Sequence, residues 1–267
     1  MRKIYRKPHQ YKRKKPIYRN RFFWLGLLVL IFLLSTFYFL FLSPTFQVEK
    51  IIITGEDKVS TDALKSLIEK KLENKILFFK TKSIFLVNLD KIKKEILENF
   101  PQISEVEIKK GFLDSLSVVV IERLGIASWC QMEQCFLLDN EGIIFEEAFP
   151  EINLTKIINK QSSIPPKIGE KVIEKEKLSQ IVLKIASELK TSLEIPIKEF
   201  QISAEDKLIA LTEENWEIYF NLQGDIDWQI TKLRAVLEEK IPPERRKDLE
   251  YIDVQFGNYA PFKYRAP

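Results

Sequence analysis

The pattern of apolar positions divides the chain into one long uncharged run and a series of shorter amphipathic segments. Residues 22–42 form 21 consecutive positions without a charge. At 1.5 Å rise per residue, a helix of this length reaches about 31 Å, which matches a hydrocarbon core of about 30 Å. Trp24 and Tyr38 lie near its ends, where membrane interfaces favour aromatic rings. No small-residue cleavage site follows, so we expect a permanent transmembrane anchor.

The next segment, residues 43–123, alternates between strand and helix patterns. A β-rich stretch ends at Gly55, and apolar residues then repeat at helical spacing from Leu64 to Leu72. A second amphipathic helix begins near Asp90 and ends before Pro101, because the residue before a proline avoids the α region. Residues 105–109 and 115–121 read as two strands of a hairpin. The predicted order is strand, helix, helix, strand, strand.

From residue 124 onward the pattern is dominated by short strands with two amphipathic helices between them. The predicted helices cover residues 177–189 and 230–240. The predicted strands cover 129–130, 135–138, 142–145, 200–202, 207–212, 216–222, 251–256 and 259–264. We therefore expect an α+β chain with a single transmembrane helix, a βααββ domain and a second mixed β-sheet domain with helices. The expected domains are 1–21, 22–42, 43–123 and 124–267.

The charge distribution orients the anchor. Ten basic residues and no acidic residue precede the apolar run: Arg2, Lys3, Arg6, Lys7, Lys12, Arg13, Lys14, Lys15, Arg19 and Arg21. The positive-inside rule places such a flank in the cytoplasm and the remaining domains outside it. A nucleic-acid role for the same basic tail is the alternative. The whole chain carries 42 basic and 38 acidic residues, so without these ten the remainder has a net charge of −6 and no affinity for nucleic acid.

Few residues are suited to catalysis or cofactor binding. The single histidine, His9, falls in the basic tail, which excludes histidine-based triads and metal sites from the following domains. With eight glycines in 267 residues there is no phosphate-binding loop. Asp139 and Glu141 belong to an acidic hairpin that could serve an anchored wall-modifying enzyme, although exposed hairpin acids are the simpler interpretation. We expect no catalytic residue, no metal and no cofactor.

Cys130 and Cys135 are a candidate disulfide. Four residues separate them, so facing strands of a hairpin would bring their Cα atoms within bonding range. A location outside the cytoplasm permits oxidation. Two reduced or buried cysteines remain the alternative.

The order of several segments resembles one family of division proteins. After the anchor come FQVEKIIITG, VSTDAL, ENFPQISEVEIKK, DSLSVVVIERLGIASW, CFLLDNEGIIFEE, WEIYFNLQGDIDWQITKLRAVLEEK and LEYIDVQF. This series is similar to the POTRA-type module and the following β domain of the FtsQ/DivIB cell-division proteins. The resemblance implies a non-catalytic, single-pass scaffold of the divisome in the cytoplasmic membrane at the septum. Small single-span coiled-coil proteins (FtsB/FtsL-like) and septal wall synthases are its implied partners.

The resemblance also assigns roles to two groups of residues. It implies that the closing strands dock the coiled-coil partner, with core filling as the alternative role for the same side chains: Tyr251, Val254, Phe256, Tyr259, Pro261 and Phe262. Glu122 and Arg123 would either contact a partner or form an ion pair at the domain junction. The competing function is a POTRA-bearing component of a secretion or outer-membrane assembly system, which would bind client strands along residues 106–110.

Overall fold

The computed structural model describes residues 21–76, 78–149 and 154–266. The basic tail lies outside these residues except for Arg21. The first helix, α1, covers Arg21–Phe41 and none of its residues is buried. It is the one helix of the described chain that is long and apolar enough to cross a membrane, judged by length and composition.

The first module has the predicted βααββ order. It comprises β1 (Lys50–Thr54), α2 (Thr61–Leu72), α3 (Leu89–Asn99), β4 (Ile103–Lys110) and β5 (Ser115–Glu122). The three strands form a sheet in the order β1-β5-β4. Both helices turn one apolar face inward, with Leu64, Ile68, Ile92 and Ile96 at most 1% exposed. The fold class predicted for this module is therefore confirmed.

The patterns did not predict a small hairpin between the two helices. Its strands are β2 (Asn74–Ile76) and β3 (Phe79–Thr81), and they form a separate two-stranded sheet. The register pairs Asn74 with Thr81, Lys75 with Lys80 and Ile76 with Phe79. The segment lacks the Asn-Gly or Gly-rich turn that would identify a tight hairpin, and its strands are only three residues long.

The second module is built on a nine-stranded mixed sheet. The strands are β6 (Ala127–Gln131), β7 (Gln134–Leu138), β8 (Ile144–Glu147), β9 (Thr155–Asn159), β10 (Ile197–Ile202), β11 (Lys207–Thr212), β12 (Glu217–Asn221), β13 (Leu249–Asp253) and β14 (Phe262–Tyr264). Their order in the sheet is β14-β13-β12-β11-β10-β9-β6-β7-β8, so β14 and β8 lie at the edges. Three of its pairings are parallel: β6 with β9, β9 with β10 and β12 with β13.

Helices cover one face of this sheet and enclose the core. One helical stretch comprises α4 (Lys175–Ser179), a π-helical segment at Gln180–Ala186 and α5 (Ser187–Thr191). The other helix, α6, covers Ile226–Glu239. It begins four residues before the predicted start because the Asp225 side chain accepts a hydrogen bond from the Trp228 amide and caps its first turn. Trp216, Phe200 and Phe220 are the largest fully buried side chains of this core.

Two details of the second module differ from the patterns. Strand β9 was not predicted, although it pairs with β6 and β10 in the middle of the sheet. The closing strands are shorter than expected, because residues 254–261 form a loop that contains Gly257 in a left-handed conformation with φ +49°.

By its internal contacts the chain divides into two compact units. Among the described residues, the smaller unit holds those from α1 to Ile52, together with those of the segments Lys65–Leu89 and Ile108–Val118. It therefore contains the β2–β3 hairpin. The larger unit holds Ile53–Leu64, Asp90–Glu107 and the described residues from Val119 onward. It therefore contains the nine-stranded sheet and the Glu122–Arg123 pair.

Candidate partner-binding site

The closing strand β14 is an open edge of the nine-stranded sheet. It pairs with β13, its single neighbour among the described strands. The Pro261 carbonyl accepts a hydrogen bond from the Asp253 amide at 2.8 Å, and the Arg265 amide donates to the Asp248 carbonyl at 2.9 Å. Backbone groups of alternate residues point to opposite sides of a strand, so those of Phe262 and Tyr264 point away from β13. This edge is a template for one more strand.

Three of the predicted partner-binding residues are exposed in the loop that precedes β14. Phe256 is 68% exposed, Tyr259 is 82% exposed, and Pro261 is also exposed. Tyr251 and Phe262 are half-buried, and the Phe262 ring packs partly against the core. Large exposed aromatic side chains next to an open strand edge are suited to holding an apolar segment of another protein.

Val254 has to be corrected as a contact residue. Its side chain is completely buried and belongs to the hydrophobic core. Val254 directly follows β13 and lies on the same side of the chain as the buried Ile252, so its side chain packs with the core instead of facing a partner. Core filling is thus its role in this structure.

A buried lysine orders the loop that carries the exposed aromatic residues. Lys232 lies on α6 with 6% of its surface exposed. Its Nζ atom donates hydrogen bonds to the carbonyls of Val254 at 2.7 Å, Phe256 at 3.1 Å and Gly257 at 3.1 Å. Burial lowers the pKa of Lys232 below its ordinary value of 10.5. Sequence analysis missed this residue, because a lysine in an amphipathic helix is ordinarily assigned to the solvent face.

Charged and aromatic groups flank the edge on both sides. Lys263 pairs with Glu250 at 2.6 Å, and the Arg245 guanidinium lies 4.1 Å from the centre of the Tyr264 ring. On the sheet face opposite the helices, Tyr251 stacks on Tyr219 with ring centres 5.3 Å apart. The site can therefore offer backbone hydrogen bonds, an aromatic surface and fixed cations to a bound peptide.

Glu122 lies at the second predicted site and caps a turn. Its carboxylate accepts hydrogen bonds from the amides of Asp57, Lys58 and Val59 at 2.8 to 3.1 Å. Burial by itself raises the pKa of Glu122, but these three amides outweigh it and the net pKa lies below the ordinary 4.5. All four residues belong to the larger compact unit.

Arg123 joins residues that lie far apart in the chain. Its Nε donates to the Pro101 carbonyl at 3.0 Å, and its amide donates to the Gln102 carbonyl at 2.7 Å. Its guanidinium also forms an ion pair with Asp139, whose side chain is 3% exposed. Glu122 and Arg123 therefore do not pair with each other, and each fixes a separate segment. This geometry favours the structural role over direct contact with a partner.

Asp139 has no oxygen free for catalysis. Oδ2 receives the Arg123 guanidinium, while Oδ1 accepts the amides of Glu141 at 3.0 Å and Ile143 at 2.8 Å. These bonds shape the turn before β8. No group of three or more metal-binding side chains occurs in residues 21–76, 78–149 and 154–266. The acidic hairpin is thus explained by turn structure.

Cys130 and Cys135 face each other across the β6–β7 hairpin. Their Cα atoms are 4.1 Å apart and their sulfur atoms are bonded. They lie on the face of the sheet opposite the core, because the adjacent residues Trp129 and Phe136 point into it. The disulfide closes a short loop on a hairpin that is already paired.

Comparison with known protein families identifies the family of this chain. Residues 46–123 match the family "POTRA domain, FtsQ-type", and residues 127–255 match "Cell division protein FtsQ/DivIB, C-terminal". The chain belongs to the FtsQ/DivIB family of cell-division proteins. The resemblance inferred from the segments is therefore confirmed.

Curated relatives carry the same description. The chain is similar to a protein named cell division protein FtsQ from Rickettsia bellii, with 28% identity over 138 residues that cover 47% of the chain and 48% of the relative. Its similarity to the FtsQ of Rickettsia felis is 24% over 191 residues, covering 64% of the chain and 67% of the relative. The FtsQ of Rickettsia conorii is 23% identical over 192 residues, covering 65% and 68%. The chain thus spans about half the length of the first relative.

Membership in the FtsQ/DivIB family bears on the cellular location of the chain. The apolar helix α1 and this family together indicate a single-pass membrane protein of the septum.

Proposed function

We propose that this FtsQ-type protein is a non-catalytic scaffold that captures a partner strand along the free edge of β14. The partner is a small single-span coiled-coil division protein of the FtsB/FtsL type, and its capture links this chain to the septal wall synthases. The single observation that carries the proposal is the open β14 edge, which follows a loop with Phe256 and Tyr259 exposed.

The chemistry of the edge suits a peptide strand. The outward backbone groups of Phe262 and Tyr264 supply two donors and two acceptors for a partner's ladder. The exposed rings of Phe256 and Tyr259 supply the apolar contact that gives such a strand its register. Lys232 keeps the loop that carries these two rings ordered before the partner binds, which lowers the entropy lost on binding.

The membrane topology that we propose follows from the distribution of charge along the chain. The ten basic residues that precede or begin α1 favour a cytoplasmic N-terminus. Both globular modules then lie on the outer side, where the β14 edge meets the outer segments of other single-span proteins. The basic tail interacts with anionic headgroups instead of nucleic acid.

The absence of catalysis is part of the proposal and has support in the side chains. Asp139 is one of the two acids that the sequence offers as candidates for catalysis. Both of its carboxylate oxygens accept hydrogen bonds, from Arg123 and from backbone amides. A general acid or base needs a free oxygen within reach of its substrate.

Affinity capture of the full-length protein from its native membranes, after mild cross-linking, tests the proposal. We expect mass spectrometry to identify a small single-span coiled-coil protein together with septal wall synthases. Recovery of barrel-assembly or secretion components in their place would overturn the scaffold proposal in favour of the competing POTRA function.

A further inference from the structure

The polar residues next to the outer end of α1 form a joint between that helix and the β2–β3 hairpin. Thr81 Oγ1 donates to the Phe41 carbonyl at 2.6 Å, and Ser83 Oγ donates to the Leu40 carbonyl at 3.0 Å. Gln47 Nε2 also donates to the Phe41 carbonyl at 3.1 Å. The last carbonyls of any helix lack partners within it, and unpaired carbonyls are costly near the hydrocarbon of a membrane. The hairpin is therefore held directly against the end of the apolar helix.

Gln47 strengthens this joint from the other side. Its Oε1 accepts the Lys82 amide at 2.6 Å, while the Val48 amide donates to the Lys82 carbonyl at 3.1 Å. The Ile84 amide donates to the Phe46 carbonyl at 2.9 Å. All these residues belong to the smaller compact unit, so the hairpin and the end of α1 form one connected structure.

The hairpin held in this position is amphipathic. Ile76 and Phe79 form one cross-strand pair on the same face as Thr81, whereas Lys75 and Lys80 form the pair on the other face. Phe79 is 58% exposed, and Phe78 in the turn is 94% exposed. Since Thr81 bonds the end of α1, the apolar face of the hairpin is the face directed toward that end of the helix.

Aromatic rings continue this surface from the helix itself. Phe39 of α1 packs edge-to-face on Phe46 with ring centres 5.3 Å apart, and Phe46 lies 5.2 Å from Phe85. Phe85 is 52% exposed. Phe46 and Phe85 therefore continue the apolar surface of the helix. Together with Ile76, Phe78 and Phe79 of the hairpin they are called the juxtamembrane patch.

We propose that the juxtamembrane patch docks into the interfacial region of the outer leaflet of the same bilayer that holds α1. Exposed aromatic rings favour this region, and lysines on the opposite face of a hairpin can reach anionic headgroups with their flexible stems. Docking would hold the smaller compact unit against the membrane surface. The inference rests on α1 crossing a membrane, which is part of the proposed function, and it does not depend on the β14 edge.

Site-directed spin labelling of the full-length protein in vesicles of phosphatidylethanolamine and phosphatidylglycerol tests the docking. The chain has two cysteines and both are in the disulfide, so a single introduced cysteine carries the label. The reporting variant is Phe78→Cys. The control variants are Leu183→Cys, an exposed apolar position 68% accessible in the second module, and Phe32→Cys in the middle of α1.

The quantity measured is the ratio of the label's collision rate with oxygen to its collision rate with a water-soluble nickel chelate. We expect this ratio to be several-fold higher for the label at 78 than for the label at 183. A ratio at 78 equal to that at 183, with the label at 32 reporting hydrocarbon, would overturn membrane docking and leave the patch to a protein partner. If the label at 32 gave the ratio of a residue in water, membrane docking would also be overturned. In that case the part of the proposed function that fails is the crossing of the membrane by α1.

Discussion

Lys232 Nζ and the Val254 carbonyl lie 2.7 Å apart in the second module, and this bond joins the last long helix to the loop before the closing strand. Two further bonds from the same Nζ reach the carbonyls of Phe256 and Gly257. A buried cation thus satisfies backbone acceptors that a strand ladder would otherwise occupy. Lys232 thus holds the loop that carries the exposed Phe256 at three of its carbonyls.

Replacing Lys232 with methionine tests that dependence. Lys232→Met keeps the apolar stem but leaves three carbonyls without their donor, so we expect the free energy of unfolding to fall by about 2 kcal/mol. Amide hydrogen exchange in residues 254–260 should accelerate more than elsewhere. Lys240→Met, which changes an exposed lysine just after the same helix, is the matched control and should leave both measurements nearly unchanged. Equal protection of the loop in both variants would contradict the assigned role.

The Arg123–Asp139 ion pair is expected to be important for stability. Its side chains are 13% and 3% exposed, so removing one charge leaves the other buried and unpaired. We expect Asp139→Asn to lower the free energy of unfolding by about 3 kcal/mol, measured by urea denaturation of the full-length protein. Glu141→Gln, two residues away and half-exposed, is the control and should cost less than about 1 kcal/mol. Similar losses in both variants would show that the ion pair contributes no more to the free energy of unfolding than an exposed carboxylate does.

Glu122 should make the stability of the larger unit depend on pH. The folded state lowers its pKa below 4.5, so its contribution is fully present above pH 4.5 and is lost as the pH falls through the lower folded value. We expect the loss of stability of the wild type as the pH falls below 4.5 to be reduced in Glu122→Gln, because the variant has no carboxylate to protonate. Thermal unfolding at a series of pH values measures this difference. Parallel curves for the two proteins would contradict the capping role.

The disulfide should contribute modestly to stability. The closed loop contains few residues, and the chain-entropy relation gives about 2 kcal/mol for a loop of this size. Since β6 and β7 already pair through five residues, we expect the double variant Cys130→Ser, Cys135→Ser to fold and to lose no more than about 2 kcal/mol. Failure of this variant to fold would show that the bond is essential for the hairpin.

Sequence patterns predicted the fold class because its elements carry local signals. The 21-residue apolar helix, the repeats at Leu64 and Ile92, and the stop at Pro101 follow from hydropathy and backbone sterics alone. The β2–β3 hairpin escaped prediction because two three-residue strands without a glycine turn have no local signature. Its position depends on hydrogen bonds from Thr81 and Ser83 to α1, about forty residues earlier in the chain.

The candidate site was predictable in location but not in detail. Aromatic residues concentrated near the C-terminus indicated the closing strands, and β14 is an edge strand. Alternation did not separate buried Val254 from exposed Phe256, because the strand ends at Asp253 and the loop that follows is shaped by Lys232. Similarly, Glu122 and Arg123 stood out as a pair, yet their partners lie at residues 57–59 and 139.

The central claim is that a partner strand pairs with the outward backbone of β14, and one pair of variants isolates that backbone. Tyr264→Pro removes the side chain and the outward amide donor, whereas Tyr264→Ala removes the side chain and keeps the donor. Both variants lose the contact between Arg245 and the Tyr264 ring, so the comparison cancels that effect. Far-ultraviolet circular dichroism confirms that both fold.

Capture of the small coiled-coil division protein by each full-length variant is the measurement that tests this claim most directly. The account predicts that Tyr264→Ala retains most of the captured partner and that Tyr264→Pro loses at least about tenfold, as expected for a lost backbone hydrogen bond and a disrupted ladder. Equal capture by the proline and alanine variants would contradict strand pairing at this edge.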